Sequence, residues 1–166
     1  MKDVMATQHN DVSVLENHHL AASFAIISRE KSCNWTVNMS DTEYKRCRHL
    51  MIENVLNTDM TKHFVEKDKI KTLIERKDFN LEEAKNKEIL MKFMFHLADI
   101  SNPWKPFNLC RLWTDLLFAE FFDQGDLEKK NNLAVSQFMD RTTTNIAKGQ
   151  IGFIDFVIKP SWLPLN

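Results

Sequence analysis

Apolar side chains recur at every third or fourth position along most of the chain, the spacing that places them on one face of an α-helix. Ser13 and Ser40 are each followed three residues later by a glutamate, a capping-box pattern that predicts helices over residues 13–31 and 41–57. The same periodicity predicts further helices over residues 61–76, 81–98, 107–123 and 141–158, with Asp140 as the cap of the last helix and Pro160 as its limit. Helices with wide apolar faces pack on one another, so the pattern predicts an all-α, multi-helix bundle.

The amino-acid composition argues against some fold classes and some binding partners for this chain. Only 3 of 166 residues are glycine, so few positions take a positive φ at no steric cost, and neither a turn-rich β-sandwich nor a glycine-loop nucleotide binder is expected. The 22 Lys and Arg residues balance 23 Asp and Glu residues. That near-neutral charge argues against a nucleic-acid partner held by a basic field.

The cysteine spacing and the hydropathy pattern indicate in which cellular compartment the chain is expected. Cys33, Cys47 and Cys110 form no C-x-x-C pair, so neither a disulfide framework nor a thiolate metal site is predicted. The first residues lack the apolar run of a secretory signal, and the longest apolar-rich stretch, residues 151–158, is far too short to span a bilayer. We therefore expect no membrane segment in this chain and a cytoplasmic location.

Asp99 is the first candidate functional residue, because its carboxylate could bind a cation. It follows an apolar helical stretch, and the dipole at the carboxyl end of a helix disfavours a carboxylate. A carboxylate kept in such a place often has a cation partner, which can be Arg, Lys or a divalent metal ion. The alternative is that Asp99 caps the turn before Pro103.

Gln150 and Phe153 form a second candidate. They lie three residues apart and share one helix face. An amide has a donor and an acceptor and can pair with a purine edge, and a ring beside it can stack on the base. Gly152 between them would allow a close approach to the backbone. The alternative places Gln150 at a core boundary and Phe153 in the core.

Two polar groups in the first half could order water. Glu16 and His19 lie three residues apart on a predicted helix and could orient water or an imidazole near a metal. The alternative is a capping glutamate beside an exposed histidine. Thr58 and Asp59 lie between two predicted helices and could instead cap the second of them.

Together and in this order, the motifs resemble the catalytic domain of class I 3′,5′-cyclic nucleotide phosphodiesterases. The segments that carry the resemblance are Asn10–His19, Thr58–Met60, Ala98–Pro103, Trp113–Thr114, Glu120–Asp126 and Gln150–Asp155. The resemblance covers residues 10–162, leaves 1–9 and 163–166 as tails, and corresponds to the C-terminal two thirds of that all-α, HD-type domain. It implies hydrolysis of cAMP and/or cGMP to the 5′-monophosphate in signal transduction.

The resemblance also implies a role for each candidate residue. Asp99 matches a metal-binding aspartate that contacts the attacking hydroxide. Gln150 matches the glutamine that hydrogen-bonds the purine, Phe153 matches the ring that clamps it, and asparagine at Asn102 is similar to subfamilies that prefer cAMP. Further positions match pocket walls and residues that hold metal-bound water: Met60, Leu117, Phe118 and Phe121 for the walls, Glu16 and Thr58, with His19 nearby, for the water.

The implied cofactors are two divalent metal ions, Zn with Mg or Mn. Such a pair shares a hydroxide, orients it in line with the P–O3′ bond and neutralises the phosphoryl oxygens, while a separate group protonates O3′. In the family, a His-Asn-x-x-His segment and a His-Asp segment supply that proton donor and three of the four protein ligands to the tight metal. Here Ser13 stands where the second histidine after His9-Asn10 would fall. We therefore expect an incomplete metal site and a chain that alone hydrolyses little or no cyclic nucleotide, as a fragment would.

Two other hypotheses stay open. A non-catalytic nucleotide-binding or helical interaction protein derived from the family would keep the base pocket without the metal centre. A plain helical bundle would keep the motifs as structural remnants. Loss of packed helices should expose apolar faces, so self-association is also expected.

Overall fold

Helices are the only regular elements in the described parts of the chain. The computed structural model describes residues 3–76 and 79–165; the outer ends of the two predicted tails, residues 1–2 and 166, lie outside the described residues. The α-helices are α1 (Val4–Gln8), α2 (Val14–Arg29), α3 (Asp41–Leu56), α4 (His63–Glu75), α5 (Ala84–Asp99), α6 (Phe107–Lys130), α7 (Ile146–Phe153) and α8 (Lys159–Trp162). The shorter helical turns are Lys31–Cys33, Met60–Lys62, Asn102–Trp104, Ile154–Ile158 and Leu163–Leu165. The predicted all-α fold is confirmed.

The chain divides into two compact units, residues 1–98 and 99–166. In the first unit the buried apolar side chains are Leu20, Ile70, Phe93 and Leu97, and the histidines His63 and His96 are buried among the helices with them. In the second unit Phe118 and Ile158 are buried together with the polar Thr114 and Ser161. Both cores therefore contain polar side chains, which must satisfy their hydrogen bonds within the protein.

The two predicted capping boxes have different outcomes. Ser40 and Glu43 form the box at the start of α3, with the Ser40 amide donating to Glu43 Oε2 over 2.8 Å and the Glu43 amide donating to Ser40 Oγ over 3.4 Å. Ser13 does not form one: its backbone is left-handed, at φ 42°, and its hydroxyl donates to Asp59 Oδ2 over 2.6 Å instead. The capping prediction at Ser13 is wrong because a distant carboxylate takes the hydroxyl.

Helix α6 extends seven residues beyond its predicted end at residue 123. The added turns are polar and carry no apolar stripe, so hydrophobic periodicity did not detect them. Lys129 and Lys130 lie in the last turn, where positive charge is favourable beside the unpaired carbonyls, and the Asn131 amide donates to carbonyls of that turn.

The last predicted helix is wrong at both ends. Asn145, not Asp140, is the cap of α7, since its side chain accepts from the Lys148 amide over 2.9 Å. The helical path also continues through Pro160 rather than ending before it. Residues Ile154–Ile158 form a wider π-helical turn in which the Lys159 amide donates to the Ile154 carbonyl five residues earlier. Pro160 then lies in the first turn of α8, where its missing N–H costs little.

Several predicted core positions are exposed. Leu15, Phe64 and Met94 belong to the apolar periodicity of predicted helices, which places them on inner faces, but 58%, 54% and 43% of their surfaces are accessible. Phe107 and Phe156 are more open still. Exposed aromatic and aliphatic side chains of this kind favour association, so self-association of the isolated chain stays a prediction.

Candidate functional site

Helix α7 carries the two base-recognition candidates. Gln150 and Phe153 are both half-buried on this helix, which the Asn145 cap fixes at its start. Among the described residues, a Cβ built on Gly152 would meet Phe156 Cδ2 at 4.0 Å, so this backbone is open and a close approach by a ligand stays a prediction. Gly149, next to Gln150, is the glycine of α7 that faces aromatic rings.

An aromatic wall lies beside the start of α7. A Cβ built on Gly149 would lie 3.8 Å from the ring of Phe118 and 3.8 Å from the ring of Phe138. The Phe118 ring contacts the rings of Phe121 and Phe122, with centroid distances of 5.6 and 5.7 Å. The wall therefore brings α6, Phe138 and the turn that holds Gln150 into one neighbourhood.

The other predicted wall residues are more open. Leu117 lies next to Phe118 on α6, and 41% of its surface is exposed. Met60 belongs to the first unit, in the short turn before α4, and is 44% exposed. Their role in lining a pocket stays a prediction.

Phe138 lies in a loop that has a strained backbone and is held by several side-chain hydrogen bonds. Its φ is 68°, a left-handed conformation that side chains with a Cβ rarely adopt. Asp140 Oδ1 accepts from Lys129 Nζ over 2.8 Å and from the Thr142 amide over 2.9 Å. The Lys129 hydrogen bond, followed by those from Thr142, holds the pKa of the Asp140 carboxyl well below its usual range. Asp140 thus anchors this loop to α6 instead of capping the last helix.

Asn102 is fixed by the first turns of α6. Its amide nitrogen donates to the Cys110 carbonyl and to Thr114 Oγ1, each over 3.2 Å. Its oxygen Oδ1 is buried and has no hydrogen-bond partner among the described residues. Asn102 therefore presents a fixed, unpaired acceptor in the second unit. Sequence reasoning assigned Asn102 to the base, whereas Thr114 entered only as part of the Trp113–Thr114 segment of the resemblance and was given no role.

Asp99 is the last residue of α5 and its side chain is exposed. Gln150 and Phe153 belong to the same compact unit as Asp99, but the convergence of these three side chains on one nucleotide is not established by their positions on the two helices and stays a prediction.

The segment around Thr58 is held by its neighbour Asp59. Asp59 Oδ1 accepts from the Thr61 amide over 2.9 Å, which confirms the predicted cap of the next helical turn, and Oδ2 accepts from Ser13. Burial raises the pKa of the Asp59 carboxyl, but the hydrogen bonds from Ser13 and Thr61 outweigh it, so the net shift is downward. Thr58 itself donates to the Val55 carbonyl over 2.8 Å.

The predicted water-ordering pair lies on α2. Glu16 is half-buried in the first turn and His19 is exposed. The His18 and His19 rings are neighbours, with centroids 6.4 Å apart. These placements agree with either interpretation of Glu16 and His19, and their role near a metal stays a prediction.

A buried histidine pair was not anticipated from the sequence. His63 Nδ1 lies 2.8 Å from His96 Nε2, and the two side chains are 1% and 0% exposed. Burial in the first place, and then the charges of His96 and Lys67, lower the pKa of His63 to about 4. His63 is therefore neutral near neutral pH, and its contact with His96 joins α4 to α5.

The described residues do not fit the two metal ions that the resemblance implies. Among residues 3–76 and 79–165, no group of three or more His, Cys, Asp or Glu side chains is arranged to hold a metal ion. Asp99 supplies a single carboxylate, whereas tight divalent sites use three or four protein ligands. No catalytic step is therefore derived through a metal in this chain.

No helix in the described ranges combines the length and the apolar character needed to cross a membrane.

The chain is similar in sequence to curated relatives over nearly its whole length. It is 38% identical over 164 residues to 3′,5′-cyclic-AMP phosphodiesterase 4C of Rattus norvegicus, covering 95% of this chain and 30% of that protein. It is 40% identical over 161 residues to dual specificity calcium/calmodulin-dependent 3′,5′-cyclic nucleotide phosphodiesterase 1C of Mus musculus, covering 97% of this chain and 22% of that protein. The chain thus spans less than a third of the length of these curated relatives.

The fold has a close counterpart among solved structures. The phosphodiesterase domain of the RhoPDE fusion protein from the choanoflagellate Salpingoeca rosetta matches with a TM-score of 0.90 and 38% identity, over 98% of this chain and 52% of that domain. The family model described as 3′5′-cyclic nucleotide phosphodiesterase matches residues 1–166. The match runs through both compact units and through every candidate residue, and the chain belongs to the 3′,5′-cyclic nucleotide phosphodiesterase family.

Proposed function

We propose that this chain forms the purine-binding side of an enzyme that hydrolyses 3′,5′-cyclic nucleotides to 5′-monophosphates. The observation that carries the proposal is the neighbourhood at Gly149, where an aromatic wall from α6 and Phe138 adjoins the helix that bears Gln150 and Phe153. A half-buried amide three residues from a half-buried ring can pair with a purine edge and stack on its face. Both relatives named above act on cyclic nucleotides according to their names.

The remaining candidates complete this proposal. Asp99 is assigned to the phosphate side of the nucleotide and to a metal whose other ligands come from outside the described residues. Glu16, Thr58 and His19 are assigned to water near that metal. Leu117, Phe121 and Met60 are assigned to the walls, and Asn102 to the base. The free thiols Cys33, Cys47 and Cys110 support a reducing, cytoplasmic location.

We assign cAMP as the preferred nucleotide. The unpaired Asn102 Oδ1 is an acceptor and suits the 6-amino group of adenine, which donates. The 6-oxo group of guanine also accepts and would face a second acceptor. A buried oxygen without a hydrogen bond destabilises the protein by about 1–3 kcal/mol, and a hydrogen bond from a ligand donor would remove that cost.

Binding tests the proposal directly. We expect the chain to bind cAMP in isothermal titration calorimetry, and Gln150→Ala to weaken that binding about tenfold or more, because the loss of a buried hydrogen-bond pair costs about 1.4 kcal/mol or more. Gln124→Ala is the matched control, since Gln124 is exposed on α6 and its amide donates to Glu128 Oε1. Equal affinities for the Gln150→Ala variant and the wild type would refute the role of Gln150.

Turnover is a separate prediction. With Mg²⁺ or Mn²⁺ and cAMP, the purified chain is expected to release no more than a trace of AMP, since its described residues offer no group that holds a metal ion. Chromatographic separation of AMP from cAMP after overnight incubation measures this. Sustained release of AMP in proportion to the amount of chain would overturn the prediction and indicate a functional metal centre in the chain.

A further inference from the structure

Thr114 has a hydrogen-bond arrangement that determines which way round the Asn102 amide is held. Thr114 is 7% exposed and lies on α6 one turn after Cys110. Its hydroxyl donates to the Cys110 carbonyl over 2.8 Å. A hydroxyl has one proton, so once that proton is committed the oxygen faces Asn102 only as an acceptor.

The Asn102 amide therefore meets acceptors on one side. Its nitrogen donates to the Cys110 carbonyl and to Thr114 Oγ1, and Cys110 Sγ lies 3.8 Å away as a weak third acceptor. A flipped amide would turn its oxygen toward two oxygens and leave both of its own hydrogens unpaired. Each lost pairing in a buried site costs about 1–3 kcal/mol, so the orientation with nitrogen inward prevails.

We propose that Thr114 is a positioning residue for base selection: it locks the Asn102 carboxamide with its oxygen free to accept from the ligand, and so favours a 6-aminopurine over a 6-oxopurine. The inference rests on the proposed function, because it takes Asn102 to be on the base side of the nucleotide. Oδ1 is buried in this structure, so contact with a ligand donor requires neighbouring atoms to move.

Substitution separates the hydroxyl from the shape of the side chain. Thr114→Val keeps the branched shape but removes both the donor and the acceptor, so the Cys110 carbonyl loses one partner and the Asn102 amide loses another. Thr114→Ser keeps the hydroxyl and is the conservative rescue. Neither change touches the ligand directly.

Two measurements on the full chain test the proposal. The first is nuclear magnetic resonance of the Asn102 side-chain amide: its two protons should exchange slowly with water in the wild type and in Thr114→Ser, and at least tenfold faster in Thr114→Val. The second is calorimetry with cAMP and cGMP: the ratio of the two affinities should fall about five- to tenfold in Thr114→Val and be restored in Thr114→Ser.

The possible results distinguish failure of the Thr114 proposal from failure of the proposed nucleotide-binding function. Unchanged amide exchange in Thr114→Val overturns the lock, and an unchanged cAMP-to-cGMP ratio with intact binding overturns its role in selection. An equal loss of affinity for both nucleotides also overturns the selection role, since it marks a purely structural effect. A wild-type chain that binds neither nucleotide overturns the proposed function, and the amide exchange then decides the lock alone.

Discussion

Gly125→Ala is expected to lower the free energy of unfolding by about 3 kcal/mol or more, at the upper end of the cost of overpacking. A Cβ built on Gly125 would lie 1.9 Å from the carbonyl oxygen of Met139 and 2.7 Å from its carbonyl carbon. Both are backbone atoms, so no rotamer change relieves the clash. Two segments would have to separate: α6, and the loop that ends in Met139 and Asp140.

Whether Gly125→Ala stabilises or destabilises the protein depends on which of two opposing contributions is larger. Alanine is favoured over glycine in a helix interior by about 1 kcal/mol, which would stabilise a variant with room for the methyl group. At Gly125 the clash exceeds that gain. The loop cannot yield cheaply, since Arg141 bonds Asp126 over 2.8 Å and Lys129 bonds Asp140 over 2.8 Å.

Gly152→Ala is the matched control. Gly152 also lies in a helix, and an added Cβ would meet only Phe156 Cδ2 at 4.0 Å, an ordinary contact. Chemical denaturation followed by circular dichroism should show Gly152→Ala at or slightly above wild-type stability and Gly125→Ala far below it. Similar stabilities for the two variants would show that the loop does not press on α6 in solution.

The contrast between the two glycines shows where sequence reasoning reached its limit. The sequence singles out Gly152, because it lies between the candidates Gln150 and Phe153, but no local pattern distinguishes Gly125. The contact that makes Gly125 necessary comes from Met139, 14 residues later. Local pattern carries no information about such an approach.

Local signals succeeded where local energies dominate. The box at Ser40 formed because its partner, Glu43, is three residues away. The same motif at Ser13 failed because Asp59, far along the chain, captured the hydroxyl. Pro160 was read as a stop, but the wider turn before it removed the need for its missing N–H. In each failure a tertiary contact or an adjusted turn overrode a local preference.

In the candidate site, too, local sequence predicted some features, whereas contacts between distant residues could not be predicted. The predicted helix over residues 141–158 placed Gln150 and Phe153 correctly on a helical segment, whereas Asn102, outside every predicted helix, begins a short helical turn. The motifs included Thr114 in the Trp113–Thr114 segment but gave it no role, because its importance lies in a hydrogen bond to Asn102, 12 residues earlier. They also missed the pair of His63 and His96, since two histidines 33 residues apart give no sequence signal of contact.

That histidine pair predicts an acid-sensitive first unit. The free energy of unfolding is expected to fall by roughly 2 kcal/mol as the pH is lowered from about 6.5 to about 4. The pKa of His63 is about 4 in the folded chain, lowered from the usual 6.5 by burial and by the charges of His96 and Lys67. Between these two values the unfolded chain binds a proton that the folded chain does not. Protonation therefore favours unfolding, and the contribution is fully present only above about pH 6.5.

His63→Gln tests the assignment, because a glutamine can hydrogen-bond His96 but does not titrate. Urea denaturation at a series of pH values should give a shallower decline for this variant than for the wild type, even where its stability near pH 7 is lower. His18→Gln is the control, since His18 is exposed on α2 and should leave the decline unchanged. Carboxylates with lowered pKa values, such as Asp59, contribute equally to all three proteins, so the difference between the curves isolates His63. Parallel curves for the wild type and His63→Gln would mean that the buried pair is not the source of the acid sensitivity.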